Sequence, residues 1–214
     1  MSVKECTHHK DKRRKLLRKI CAGFLILAVI VLLTFFITWA ILQPRKPRFI
    51  LQDATIYAFN ISGPNTILLS SNFQVTVSSR NPNSRIGVYY DKLDVFASYR
   101  NQQITYFTGI QPVYQGHKET NVWSPFVYGT NVPVAPYNGD SLTEDKSDGQ
   151  IFLLIKMNGR VRWRVGRFIS GRYHIHVTCP AFIPFGDKLK SVTPGIVVGT
   201  GIKYQLSQRC SVSV

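Results

Sequence analysis

The chain has 214 residues, room for one ordinary domain with or without an anchor. Hydrophobic residues at 44% and aromatics at 12% supply enough apolar surface for a packed core and exclude wholesale disorder. Lys and Arg outnumber Asp and Glu by 27 to 11, and the excess is split, +9 over residues 1–48 and +7 over residues 49–214.

Residues 1–19 form a basic tail in which Lys4, Lys10, Lys12, Arg13, Arg14, Lys15, Arg18 and Lys19 carry charge; His8 and His9 lie in it, and it is expected to be flexible. From Ile20 to Leu42 follow 23 residues without a charge. As a helix they span about 35 Å at ~1.5 Å per residue, enough to cross a ~30 Å hydrocarbon core with some tilt. A buried helix of a soluble protein keeps a polar stripe, and here Thr34 and Thr38 are only scattered interruptions. A cleavable signal has an apolar run of about 7–15 residues ending at small residues, whereas this run is longer and ends Trp39-Ala40-Ile41-Leu42-Gln43-Pro44. The segment reads as one uncleaved transmembrane signal anchor, with Trp39 at an interface.

Eight basic residues precede the span, and Arg45, Lys46 and Arg48 follow it. That asymmetry predicts a cytosolic N-terminus and an extracytoplasmic C-terminal domain. Beside a membrane, the basic run sets topology and contacts anionic lipid, at about 1 kcal/mol per basic residue. No separate case for nucleic-acid binding is then left. Cys21, at the cytosolic boundary, is either a palmitate acceptor or simply part of the span.

A proline-marked linker over 43–48 leads to a domain over 49–214 with short β-like segments. Phe73–Val77, Val161–Val165 and Tyr173–Val177 alternate at period two; Ala54–Phe59, Gly87–Tyr99, Ile104–Phe107, Ile151–Met157 and Ile202–Ser207 are further strand candidates. Pro82 ends the Phe73 strand in a turn. Asn158-Gly159 predicts a two-residue hairpin between Ile151–Met157 and Arg160–Val165. The polar stretch 138–149 is expected to be a surface loop or one short helix. Many strands and no long helical period after residue 48 make the domain an all-β antiparallel sandwich.

Chemistry is sparse. No Cys/His cluster has zinc spacing, and no nucleophile elbow, zinc-protease, phosphate-loop or dinucleotide motif occurs; Gly195, Gly199 and Gly201 have the wrong spacing. Asp91 and Asp94, three apart in a strand, are expected on opposite faces, and His174 and His176 share a face without a third ligand. No catalytic role, metal or cofactor is assigned. Cys179 and Cys210 fall on the oxidising side, whereas Cys6 and Cys21 do not. The pair either bridges, tying the final strand to the sheet, or remains two buried thiols. Arg160, Arg162 and Arg164 alternate along a strand whose other face offers Val161, Trp163 and Val165. The ladder is either a binding face for acidic polysaccharide, anionic headgroups or an acidic partner, or an ordinary charged sheet surface. Asn60-Ile61-Ser62 is a glycosylation acceptor on the predicted outer side.

Several blocks together carry a resemblance: Asn81-Pro82-Asn83, then Tyr89-Tyr90-Asp91, Pro112–Lys118, Val161–Gly166 and Ser170–Pro180. With the basic tail and single span, they resemble the NHL proteins of land plants, named for non-race-specific disease resistance and harpin-induced proteins. Val113 departs from the Phe more common there. The terminal Gln208–Val214 is too short and polar for a lipid-anchor signal. The resemblance implies a late embryogenesis abundant, group-two domain with an immunoglobulin- or fibronectin-III-like sandwich. It also implies residence at the plasma membrane, often at plasmodesmata, and a non-enzymatic part in responses to pathogens and abiotic stress. The implied partners are cell-wall polysaccharide or a membrane receptor protein, with homo-oligomers compatible. The alternative role is a structural protein that protects membranes or proteins during water loss without a specific partner.

Overall fold

A computed structural model describes residues 4–42, 45–63, 67–184, 196–198 and 201–214. The chain divides into two compact units, Met1–Gln43 and Pro44–Val214. The first is one helix, α1 (Lys4–Leu42). It begins within the tail that was expected to be flexible. No Gly or Pro interrupts residues 4–19, and the Lys, Arg and Leu there are good helix formers. Lys15–Ile37 is exposed throughout, and it is long and apolar enough to cross a membrane. Gln43, Pro44, Gly195 and Gly199, and the side chains of Cys6, His8, His9, Thr38 and Trp39, lie outside the described residues.

The second unit is an antiparallel β-sandwich, as the alternation predicts. Its elements are β1 (Arg48–Ser62), β2 (Leu68–Arg80), β3 (Ile86–Tyr99), β4 (Gln102–Gln103), β5 (Thr108–Ile110), β6 (Val113–Gln115), β7 (Thr120–Trp123) and β8 (Phe126–Pro133), then α2 (Pro136–Ser147). There follow β9 (Gln150–Val165), β10 (Phe168–Ile169), β11 (Tyr173–Pro184), β12 (Ile196–Val198), β13 (Gly201–Arg209) and β14 (Ser211–Ser213). One sheet runs β12-β13-β1-β2, with β7 and β8 in succession along the far edge of β2; the other runs β14-β11-β9-β3, with β6, β5 and β4 along the edge of β3. Among the described residues the outer strands β12, β14, β4, β5 and β6 are each two or three residues long, short edges of the kind that discourage pairing with another chain.

Buried Phe49, Leu51, Phe73, Val75 and Val77 of one sheet meet Val88, Tyr90, Leu153, Ile155, Met157 and Val177 of the other. Helix α2 starts with a proline in its first turn and inserts fully buried Leu142. It binds both sheets: Tyr99 donates its hydroxyl to Asp145 at 2.6 Å, and Lys146 Nζ donates to the Phe59 carbonyl at 3.1 Å. At Cys210 the chain passes from β13 in one sheet to β14 in the other, and its Sγ lies 1.99 Å from that of Cys179 on β11.

Three expectations are corrected. Asn158-Gly159 is no hairpin: β9 runs unbroken through it, and neither residue has a positive φ. The turn comes later, at Gly166-Arg167, before β10 folds back on β9. The Ile104–Phe107 candidate is not a strand. Ile104 and Thr105 are buried in irregular chain, where the Thr105 hydroxyl accepts the Ala97 amide at 2.8 Å. Asp91 and Asp94 share the outer face, because the β3–β9 register shifts between Tyr90 and Lys92. The β3 members of the hydrophobic core are even-numbered through Tyr90 (Val88, Tyr90) and odd-numbered from Leu93 (Leu93, Val95, Ala97, Tyr99), the phase change a β-bulge produces.

Candidate functional site

The outer face of the β3–β9 sheet gathers cations and aromatic rings. Arg162 is the cross-strand partner of Tyr89, and Tyr89 is in turn opposite Tyr114 on β6. The two tyrosine rings lie 4.5 Å apart. Arg162 stands over the Tyr89 ring at 5.3 Å and Arg164 over the Tyr114 ring at 5.5 Å, within cation–π range. Arg164 also donates to the Tyr89 hydroxyl at 3.1 Å and to the Gly166 carbonyl at 3.1 Å. Gly87 makes room for this stack, since a Cβ there would sit 2.3 Å from the Tyr114 hydroxyl oxygen.

Asp91, pushed outward by the bulge, accepts a forked pair of bonds from Arg162, with Nη2 at 2.7 Å and Nε at 2.9 Å. Arg172 approaches its other side at 3.5 Å. The Arg162 hydrogen bonds, helped by the fields of Arg162, Arg172 and Arg160 and opposed by partial burial, hold the Asp91 carboxyl below its ordinary range. Asp94 has a separate partner, Lys92 Nζ at 2.7 Å, so the two carboxylates do not act as a pair.

The arginine ladder therefore divides. Its three members share one face, as period two requires, but Arg162 and Arg164 are half-buried and engaged while Arg160 is exposed. Trp163 on the opposite face is itself only half-buried against the core, and Val161 is the fully buried anchor. Arg172, which closely follows the ladder in sequence, does join it at Asp91, whereas sequence reasoning missed Tyr114 as a member; the usable signal was Gly87 inside a strand pattern, a mark of close approach.

The family-motif residues split between two roles. Tyr89 and Asp91 belong to the cationic face, while Tyr90 points inward and shares hydrogen bonds with Ser79 and Gln115 at 3.0 Å each; burial pushes its phenol well above the usual range. Asn81 and Asn83 form a buried knot. The Asn81 amide donates to the carbonyls of Ile86 and Gly116, and its oxygen accepts the Asn83 backbone amide at 3.1 Å. Asn83 closes on Arg45 in both directions, at 2.8 and 2.7 Å. Pro82 keeps Asn81 out of helical geometry and lacks an N–H that would compete.

His174 and His176 are stacked 6.4 Å apart, and His176 bonds the Asn158 side chain at 3.0 Å. Among the described residues no three His, Cys, Asp or Glu side chains are grouped to hold a metal ion. Asn60 is exposed on β1 opposite Ser70, beyond the last β1–β13 pair at Ile56.

Residues 76–179, which include β3, β9 and the start of the Asn81 knot, match the LEA_2 late embryogenesis abundant protein family. Three proteins of Arabidopsis thaliana are close relatives. NDR1/HIN1-like protein 1 is 57% identical over 99% of this chain and 100% of its own. NDR1/HIN1-like protein 12 is 54% identical over the whole of both chains, and NDR1/HIN1-like protein 26 is 40% identical over 86% and 83%. With identity at this level across full length, the chain belongs to the NDR1/HIN1-like family and carries a late embryogenesis abundant domain.

Proposed function

We propose that this is a non-catalytic, single-pass plasma-membrane protein of plant defence and stress responses. Its basic tail is cytosolic and its sandwich acts outside, in adhesion or signalling, by engaging an acidic cell-wall polymer or protein. The observation that carries the reading is the charge balance on the β3–β9 face. Arg160, Arg162 and Arg172 act on the carboxylate of Asp91, and Arg164 stands beside them. The face's other carboxylate, Asp94, is paired with Lys92, and the guanidinium groups of Arg162 and Arg164 lie within cation–π distance of tyrosine rings. A face ordered before binding loses less side-chain freedom when an acidic ligand arrives. The bonds made by Arg162 and Arg164 leave Arg160 and Arg172 as the groups that reach outward.

The test is retention of the full chain in nanodiscs by immobilised pectate or by plant membrane proteins, with Arg160→Gln/Arg172→Gln as the comparison. This pair leaves the Arg162–Asp91 fork intact, whereas removing Arg162 would expose an uncompensated carboxylate. Expected is retention that weakens with salt and is lost in the double variant. Equal retention of variant and wild type at low salt would reduce the face to a solvated surface.

A further inference from the structure

The other sheet has a second cationic feature, at the end where the chain enters the β-domain. Strand β1 sends Phe49 and Leu51 into the core and leaves Arg48 and Ile50 outward. Arg48 is the register partner of Arg80 on β2, and Ile50 is the partner of Arg209 on β13. Arginines directly opposite one another have Cβ atoms about 5 Å apart, a placement that repulsion makes unfavourable. With Lys46 they line a cavity of about 520 Å³ whose apolar wall includes Pro47, Ile50 and Val212. Among the described residues no carboxylate lines it. Its volume lies in the range of small-ligand sites, about 300–1,000 Å³. The Phe49 carbonyl on its wall already accepts from the Cys210 amide at 3.0 Å, and the four cationic side chains call for negative charge.

Sequence distance narrows the source of that charge. Lys46 follows Leu42, the last residue of α1, by four residues, a tether of at most about 14 Å. We infer that the cavity holds the phosphate ester of a membrane-lipid headgroup with net negative charge, one that carries no choline or amine cation beside the phosphate. Arg48, Arg80 and Arg209 take the phosphate oxygens, for which the guanidinium fork is suited, and Ile50 and Val212 lie against the headgroup's carbon skeleton. A soluble acidic polymer would need no tether to a span. The inference rests on the membrane-anchored reading and is independent of the arginine–tyrosine face, which belongs to the other sheet.

The test places the full chain in nanodiscs of phosphatidylcholine alone or with phosphatidylinositol, and follows amide hydrogen exchange over Lys46–Ile50 and Arg209–Val212. Expected is slower exchange with phosphatidylinositol. The protection should be lost in Arg80→Gln/Arg209→Gln and kept when Lys10, Lys12, Arg13 and Arg14 are changed to Gln. Should the double variant unfold in plain phosphatidylcholine discs, Arg80→Lys/Arg209→Lys replaces it, with part of the protection expected to remain. Equal exchange in both kinds of disc overturns the inference alone, and a chain that stays outside the discs overturns the membrane reading with it. Equal protection by inorganic phosphate added to phosphatidylcholine discs would overturn the lipid source, and protection by oligogalacturonate in place of phosphatidylinositol would overturn the lipid in favour of a wall polymer.

Discussion

Gly159 lies directly beneath the backbone of Lys92: a Cβ at residue 159 would stand 2.0 Å from the Lys92 carbonyl oxygen and 2.8 Å from Leu93 Cδ2. The bulge at Asp91 brings the β3 backbone this close, so the glycine serves strand packing and not a turn. Gly159→Ala is expected to force the two strands apart and to destabilise the domain by about 3 kcal/mol, the upper end of the overpacking range. Gly159→Asn separates the two accounts. An Asn-Asn turn would survive in a hairpin, whereas here the larger side chain meets backbone, and thermal unfolding of both variants reads the difference.

Asn81 is fully buried, and its side chain satisfies two carbonyls and two Asn83 donors. Asn81→Ala leaves buried polar groups without partners, at a cost of about 1–3 kcal/mol for each one that water cannot reach. The expected loss is about 3 kcal/mol, measured by denaturant unfolding. Pro82→Ala keeps every one of these bonds and is expected to cost well under half as much. Equal losses would mean that the proline's turn, and not the amide knot, holds the segment.

These two positions also show how far the sequence could be read. Period-two alternation identified the sandwich because burial on one face imposes it directly, and an uninterrupted apolar run identified the helix because its length and lack of charge suit a membrane crossing. Asn158-Gly159 misled because the dipeptide is favoured in type I′ turns, while the feature that decides, the Lys92 carbonyl above it, is 67 residues away in the chain. The bulge that puts Asp91 beside Arg162 is local in cause but is visible only as a phase change in burial. Tyr114 joins the cationic face through the neighbouring strand β6, and single-strand periodicity contains no such information. The Arg48–Arg80 juxtaposition is likewise a matter of register.

The Asp91 carboxyl, held below its ordinary value chiefly by the Arg162 hydrogen bonds, makes stability depend on acid. A depressed carboxyl contributes fully at pH above its unfolded value of about 4, and the contribution is lost as pH falls through the lower folded value. Asp91→Asn is therefore expected to be less stable than wild type at neutral pH, with the difference shrinking below about pH 4. Melting temperatures from pH 7 to pH 2.5 in steps give the curve. A difference that does not change with pH would assign the loss to packing. High salt should narrow the gap only modestly, because the fork is short and half-buried.

Orientation across the membrane has consequences for two separated groups. If the β-domain is extracytoplasmic, Asn60 is available for glycosylation and Cys179 with Cys210 lies in an oxidising compartment. Asn60 stands twelve residues past Arg48 on one strand, about 40 Å along it, and is exposed. Protein from plant membranes is expected to lose mass on glycosidase treatment, and Asn60→Gln should abolish that change. Closing a loop across 31 residues restricts the unfolded chain by an amount equivalent to about 3.7 kcal/mol, so Cys179→Ala/Cys210→Ala should lower stability by a few kcal/mol. Protease added to intact protoplasts should remove a C-terminal tag and spare an N-terminal one. The reverse pattern, with unglycosylated Asn60 and free thiols at 179 and 210, would place the domain in the cytosol and remove the ground for a wall ligand.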